Sequence, residues 1–490
     1  MVRLLFALTL LGLTLITAFR PQQKTQNRKD PRPNIVLIVA DDHGREAVGC
    51  YGNPAVKTPH IDQLAAEGVR FTNAFCTTAS CSPSRSVLLT GLHNHANGMY
   101  GLEHREHHFS SFDTVRSLPV MLQKAGYQTA RIGKFHVAPE RAYHFQKVLR
   151  GGKTNNPASI GRSPVEMADL CYPLFSEASE KPFFLYFATD DPHRSNTVSA
   201  SGMPVFKGDK ANLFGNRPGG YPQVHDVFYQ PFQVQVPPYL PDTRATRMEL
   251  AQYYESISRL DQGVERLVAL LKETGQYDNT VIVYLSDNGA PFPGSKTTLY
   301  EPGMKLPLIV KLPKPQKPGF VQDAMISWVD LTPTLLDFAG VRPDTVYSQG
   351  RSFKSIIEQD RATGWDEVYG SHTLHEVTMY YPMRVLRERR YKLIFNIAHE
   401  LSFPMALDLY HSFTWQDVRQ TGRKLYGKRT VEAYLHRPRF ELYDLEADPH
   451  EVRNLASDPK HQAILKRMQE KLKRFQQQTK DMWVSKWEFE

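Results

Sequence analysis

Two short acidic motifs, Asp41-Asp42 and Asp287-Asn288, bring together three carboxylates and one amide carbonyl. These are hard oxygen ligands of the kind calcium prefers; transition-metal sites draw more on His and Cys. Either pair alone also reads as a turn or a helix cap. Two such pairs, each at the end of an apolar run, point to one shared cation. Between them in the chain lies Cys81-Ser82-Pro83-Ser84-Arg85, with Thr90-Gly91 behind it. Pro83 suits the first turn of a helix, whose free N–H groups favour an anion, and Arg85 in that turn reaches the same anion. A sulfate or phosphate is the ligand class this invites. Read without its neighbours, Cys81 is more readily a buried structural thiol.

The elements that must position these groups are short apolar runs that each stop at chemically capable residues. The run 34–40 ends at Asp41-Asp42, and 127–133 ends at Lys134 and His136. The run 183–188 ends near Asp191 and His193, and 281–285 ends at Asp287-Asn288. Each has the length and composition of a buried strand. Helical signals lie between them. Thr58-Pro59 caps a segment with Ile61, Leu64, Ala65 and Gly68 on one face, and Tyr253, Ile257, Leu260, Val264, Leu267 and Leu271 hold helical spacing. Alternation of strand and helix predicts an α/β fold, a large and mainly parallel sheet flanked by helices. Ligands of such sheets gather at the carboxyl ends of the strands.

The last hundred or so residues differ. Met383–Ile397 and Phe440–Leu445 read as strands without crossover helices, and Ile464, Met468, Leu472 and Phe475 form the face of a final helix, so a smaller C-terminal α+β domain is expected. The predicted division is 33–372 for the main domain and 373–490 for the small one, with the boundary inside 365–380. Ahead of them, Arg3 and the apolar run 4–18 read as a signal peptide over 1–18, with Ala18 at the cut, and 19–32 as a linker. An uncleaved anchor is the alternative, and no other stretch is apolar enough for a membrane span.

Composition narrows the class further. With 41% hydrophobic and 23% charged residues, the 490-residue chain is neither collagen-like, disordered nor a multispanning membrane protein. The four cysteines, Cys50, Cys76, Cys81 and Cys171, are too few for a disulfide framework, although one bridge stays open. A formal charge of +9 fits a polyanionic substrate as readily as a solvated basic surface, and no nucleic-acid motif accompanies it. No Asn-x-Ser/Thr acceptor occurs, which favours an exported bacterial protein of the periplasm over a lysosomal one.

Cys81-Ser82-Pro83-Ser84-Arg85 with Thr90-Gly91 resembles the signature of the formylglycine-dependent sulfatases. The resemblance extends to 441–455, which is similar to the family's C-terminal hairpin, and it implies an alkaline-phosphatase-like fold. It further implies that Cys81 is oxidised to formylglycine by a formylglycine-generating or sulfatase-maturing enzyme, and that the hydrated aldehyde attacks sulfur. One Ca2+ would be held by Asp41, Asp42, Asp287, Asn288 and the modified Cys81. Arg85, Lys134 and Lys296 would supply positive charge to the sulfuryl oxygens, His136 would remove a proton from the hydrated intermediate, and His193 would protonate the leaving group. Three further stretches, 95–101, 110–119 and 375–384, are similar to the branch of the family that hydrolyses N-sulfated glucosamine of heparan fragments. O-sulfatases, phosphonate or phosphate monoester hydrolases and a non-catalytic sulfated-glycan binder are the alternatives. A homodimer is left open.

Overall fold

Strand β1 (Asn34–Ala40) shows why the centre of the molecule forms a sheet covered on both faces. All seven of its residues are buried. Ile35, Leu37 and Val39 face one apolar cluster while Val36, Ile38 and Ala40 face another, as the two-residue period of a strand requires. Each large side chain withdrawn from water in this way contributes about 1.5–3 kcal/mol.

The computed structural model describes residues 32–104, 106–152, 159–177, 181–195, 213–217, 219–341 and 348–488. The predicted signal peptide and all but the last residue of the predicted linker lie outside the described residues. Around β1 an eight-stranded sheet assembles from β2 (Val69–Phe75), β3 (Gln128–Lys134), β4 (Lys147–Gly152), β5 (Phe183–Ala188), β6 (Thr280–Ser286), β7 (Lys305–Lys311) and β8 (Phe320–Ser327). The order is β4-β3-β5-β1-β6-β7-β2-β8, and only β7 runs antiparallel to its neighbours. The expected mainly parallel sheet is present, as are its helices. The segment Pro59–Glu67 is helix α1, and the six predicted residues of the long helix Arg244–Glu273 are all buried. Gly68 ends α1 against the sheet, where a Cβ would come within 2.6 Å of the Val310 carbonyl oxygen.

A second, antiparallel sheet forms the smaller C-terminal part from β9 (Glu367–His372), β10 (Met383–Glu388), β11 (Tyr391–Asn396) and β12 (Phe440–Asp444), in the order β12-β11-β10-β9. Its first strand starts at Glu367, a few residues ahead of 373. The terminal helix Gln462–Gln478 lays Leu465, Met468, Leu472 and Phe475 on this sheet. Among the described residues no helix is long and apolar enough to cross a membrane.

Candidate active site

Parallel pairing aligns β1 with β6 so that Ala40 stands beside Ser286. The next residues on each strand, Asp41-Asp42 and Asp287-Asn288, therefore leave the carboxyl edge of the sheet side by side. All four are fully buried. Asp42 turns with φ of 65°, and its N–H donates to Asp287 Oδ1 at 3.0 Å. Facing them is helix α2 (Cys81–Thr90), which starts at Cys81 and closes on Gly91 in the left-handed conformation (φ 67°). Cys81 Sγ lies 3.7 Å from Asp42 Oδ1.

Arg85, one helical turn beyond Cys81, is fully buried and points at the carboxylates. Its Nε donates to Asp287 Oδ2 at 2.8 Å, Nη1 to the Lys134 carbonyl at 3.0 Å and the Tyr186 hydroxyl at 3.2 Å, and Nη2 stands 3.4 Å from Asp41 Oδ1. At the end of β3, Lys134 Nζ donates to Asp41 Oδ2 at 2.5 Å. Lys296 Nζ reaches Asp42 Oδ2 at 2.9 Å and His193 Nε2 at 2.8 Å. Two residues past β3, His136 has φ of 56°, and its Nε2 shares a hydrogen bond with His104 Nδ1 at 2.5 Å. Every predicted site residue except His136 joins one continuous chain of contacts; His136 approaches it through the backbone beside Lys134.

Three buried carboxylates, Asp41, Asp42 and Asp287, thus face three buried cations, Arg85, Lys134 and Lys296. Burial of any one of these charges without a partner would be prohibitive. Burial raises the Asp42 pKa to about 6, against the pull of Lys296, and raises that of Asp287 to about 7, against Arg85. Burial also works to raise Asp41, yet Lys134, His193 and Arg85 together hold it well below the usual carboxylate range. The Cys81 thiol is pushed well above its ordinary value, chiefly by burial, so at neutral pH it is no thiolate nucleophile. His193 is lowered by burial and then by Lys296, and His136 by burial and then by Lys134.

The polar inventory is incomplete. Asp41 Oδ1 and Asn288 Oδ1 are buried acceptors without a hydrogen-bond donor, and Arg85 Nη2 is a buried donor without an acceptor. Ligand atoms of Asp41, Cys81 and Asp287 lie within 4.8 Å of one another, as do those of Asp42, Cys81 and His193. Buried oxygens without donors among three carboxylates fit a hard divalent cation, and a guanidinium N–H without an acceptor beside them fits an anion.

Several residues that build the site were not singled out from the sequence as site residues. Tyr186, on β5, holds Arg85. Asp191 accepts from Arg162 and from two nitrogens of Arg259, fixing the loop that carries His193. The smaller sheet grips the approach to Cys81: Ser371 N donates to the Thr77 carbonyl, Thr78 Oγ1 pairs with His372 Nδ1 and Ser80 Oγ with His375 Nδ1. His375 lies in the stretch 375–384 and makes its contact with the segment ahead of Cys81. Asp408, whose Oδ2 lies 3.3 Å from Lys296 Nζ, carries no sequence signal, because no strand precedes it.

Comparison with known proteins agrees with this geometry. The sulfatase family profile matches residues 33–341, and a profile described as N-sulphoglucosamine sulphohydrolase, C-terminal, matches 294–412 and 406–478. Human N-sulphoglucosamine sulphohydrolase is 40% identical over 472 residues, 93% of this chain and 92% of that one. An N-acetylglucosamine-6-O-sulfatase of Bacteroides thetaiotaomicron is 26% identical, over 97% of this chain and 91% of the relative. A solved structure in complex with its substrate D-glucosamine-2-N,6-O-disulfate shares the fold with a TM-score of 0.65 at 22% identity, over 92% of this chain and 98% of that one. With the profile match extending over well more than half of its length, the chain belongs to the sulfatase family of hydrolases.

Proposed function

We propose that this sulfatase hydrolyses the N-sulfate of glucosamine in heparan-type fragments, using calcium and a formylglycine made from Cys81. The observation that carries the reading of the centre is the pair of buried, donorless oxygens, Asp41 Oδ1 and Asn288 Oδ1, set around Cys81. The N-sulfate preference is supported by 40% identity to the human N-sulphoglucosamine sulphohydrolase along nearly the whole chain. In this reading 33–372 carry the reaction and 373–490 close the pocket. The protein is exported and meets its maturing enzyme before it folds, because Cys81 ends fully buried.

Asp41, Asp42, Asp287 and Asn288, with residue 81, would hold the calcium ion, whose charge polarises the sulfate and lowers the pKa of the nucleophile. Lys134 and Lys296 offer ammonium groups to the sulfuryl oxygens, each already oriented by a carboxylate. Arg85 holds Asp287 through Nε, and its Nη2, 3.4 Å from Asp41 and without a hydrogen bond, faces negative charge. His193 Nε2 donates a proton to the leaving atom. Its lowered pKa reflects burial and Lys296, and an anionic sulfuryl group set against both favours the protonated ring. His136, kept neutral by burial and then by Lys134, accepts a proton from the hydrated intermediate.

Sulfate release tests the substrate. N-sulfoglucosamine should be turned over, and 6-O-sulfated glucosamine lacking an N-sulfate should not; the reverse pattern would make the protein an O-sulfatase.

A further inference from the structure

Asp408 is an acidic residue at Lys296 that the calcium-binding set does not use. It lies on the short helix Leu407–Tyr410 of the C-terminal part, its side chain 11% exposed. Its Oδ2 is 3.3 Å from Lys296 Nζ, and its Oδ1 accepts from Leu409 N at 2.9 Å. The helix is pinned at its start, where Glu376 Oε1 accepts from Leu407 N at 3.0 Å. Lys296 Nζ is also 2.8 Å from His193 Nε2, so Asp408 and His193 meet at one ammonium group. Lys296 already has a shorter carboxylate partner in Asp42, at 2.9 Å. Asp408 is thus a second carboxylate at Lys296, on the side of His193, and a carboxylate with about four acceptor positions keeps some of them open.

Cleavage of the two bond types differs in charge there. An N-sulfate, R–NH–SO3−, plus water gives R–NH3+ and SO4 2−: the S–N bond breaks, its electron pair stays on nitrogen, and nitrogen ends as a cation. A sulfate ester leaves a neutral alcohol. We propose that Asp408 is the specificity-determining residue that receives the developing ammonium group, favouring S–N over S–O cleavage. This deepens, and rests on, the N-sulfatase reading above.

The test compares wild type, Asp408→Asn and Asp408→Glu. Values of kcat/KM are measured for N-sulfoglucosamine and an aryl sulfate ester, and calorimetry gives the affinities of glucosamine and glucose. In Asp408→Asn the preference for N-sulfate over ester should fall at least about tenfold, with a similar loss of glucosamine affinity relative to glucose, as for a lost charge-assisted hydrogen bond. Asp408→Glu should restore part of both. A parallel fall on both substrates, with the glucosamine to glucose ratio unchanged, would overturn the proposal and leave Asp408 as a counter-ion of Lys296. Melting curves identify a variant that fails to fold, and the binding comparison with the glutamate variant then decides. Wild-type enzyme that releases sulfate from the ester but not from N-sulfoglucosamine would instead overturn the underlying reading.

Discussion

Two arginines, Arg85 and Arg384, are both fully buried and both paired with aspartate, yet their surroundings differ in what is left over. Arg384, on β10, donates Nε and Nη2 to the two oxygens of Asp481, and Nη1 to the carbonyls of His372 and Met383. Asp481 also accepts from Gln476 and from Trp483 N, and Gln476 in turn accepts from Trp487. No atom of Arg384, Asp481 or Gln476 stands among the buried unpaired groups, whereas the Arg85 cluster keeps three. A complete network ties the chain terminus to the small sheet. An incomplete one, in an equally dry place, has room for a ligand. Unused hydrogen-bonding capacity, rather than buried charge, separates site from clasp.

The contrast can be broken at four points. Cys81→Ala should cut turnover by about ten-thousandfold or more while leaving the melting temperature within a degree or two of wild type, since only a small side chain at position 81 is shortened; steady-state kinetics and calorimetry check both halves. Asp481→Asn should do the opposite. Leaving Arg384 buried beside a neutral partner costs about 3–5 kcal/mol, read as a lower denaturation midpoint, with kcat and the calcium response kept in the folded fraction.

Calcium should stabilise the incomplete cluster alone. At a hundred times its Kd the ion adds about 2.7 kcal/mol, seen as a raised melting temperature in wild type and in Asp481→Asn but lost in Asp287→Asn. The fourth effect is one of pH. His95, packed beside the clasp, donates or accepts through both ring nitrogens, to Ser371 and Thr479, and burial lowers its pKa from 6.5 to about 4. Below pH 6.5 the unfolded chain takes up a proton that the folded chain refuses. Stability should therefore fall as pH drops from about 6.5 toward 4 and level off below, by about 1.4 kcal/mol per unit at most. Urea titrations across that window should show a shallower slope in His95→Asn.

Most of the site was legible because a parallel sheet converts sequence order into place. Runs that end in Asp41, Lys134, His193 and Asp287 end at one edge, so residues far apart in the chain meet there. The antiparallel β7 escaped notice because a fully buried strand carries no mark of its direction. Asp408 and the smaller sheet's grip on residues 77–80 were illegible for another reason. They act from a short helix and from the end of a strand of the second sheet, and where one sheet lies on another is set by packing that no local periodicity records. Tyr186 sits inside an apolar strand, where its hydroxyl does not disturb the pattern.

The account turns on residue 81 working as an aldehyde beside the unpaired oxygens of Asp41 and Asn288. The most direct test is mass spectrometry of the peptide containing Cys81, taken from active enzyme purified from its native host. The account predicts formylglycine at position 81, in proportion to the turnover of N-sulfoglucosamine. Full activity from enzyme carrying only the unmodified thiol would contradict it.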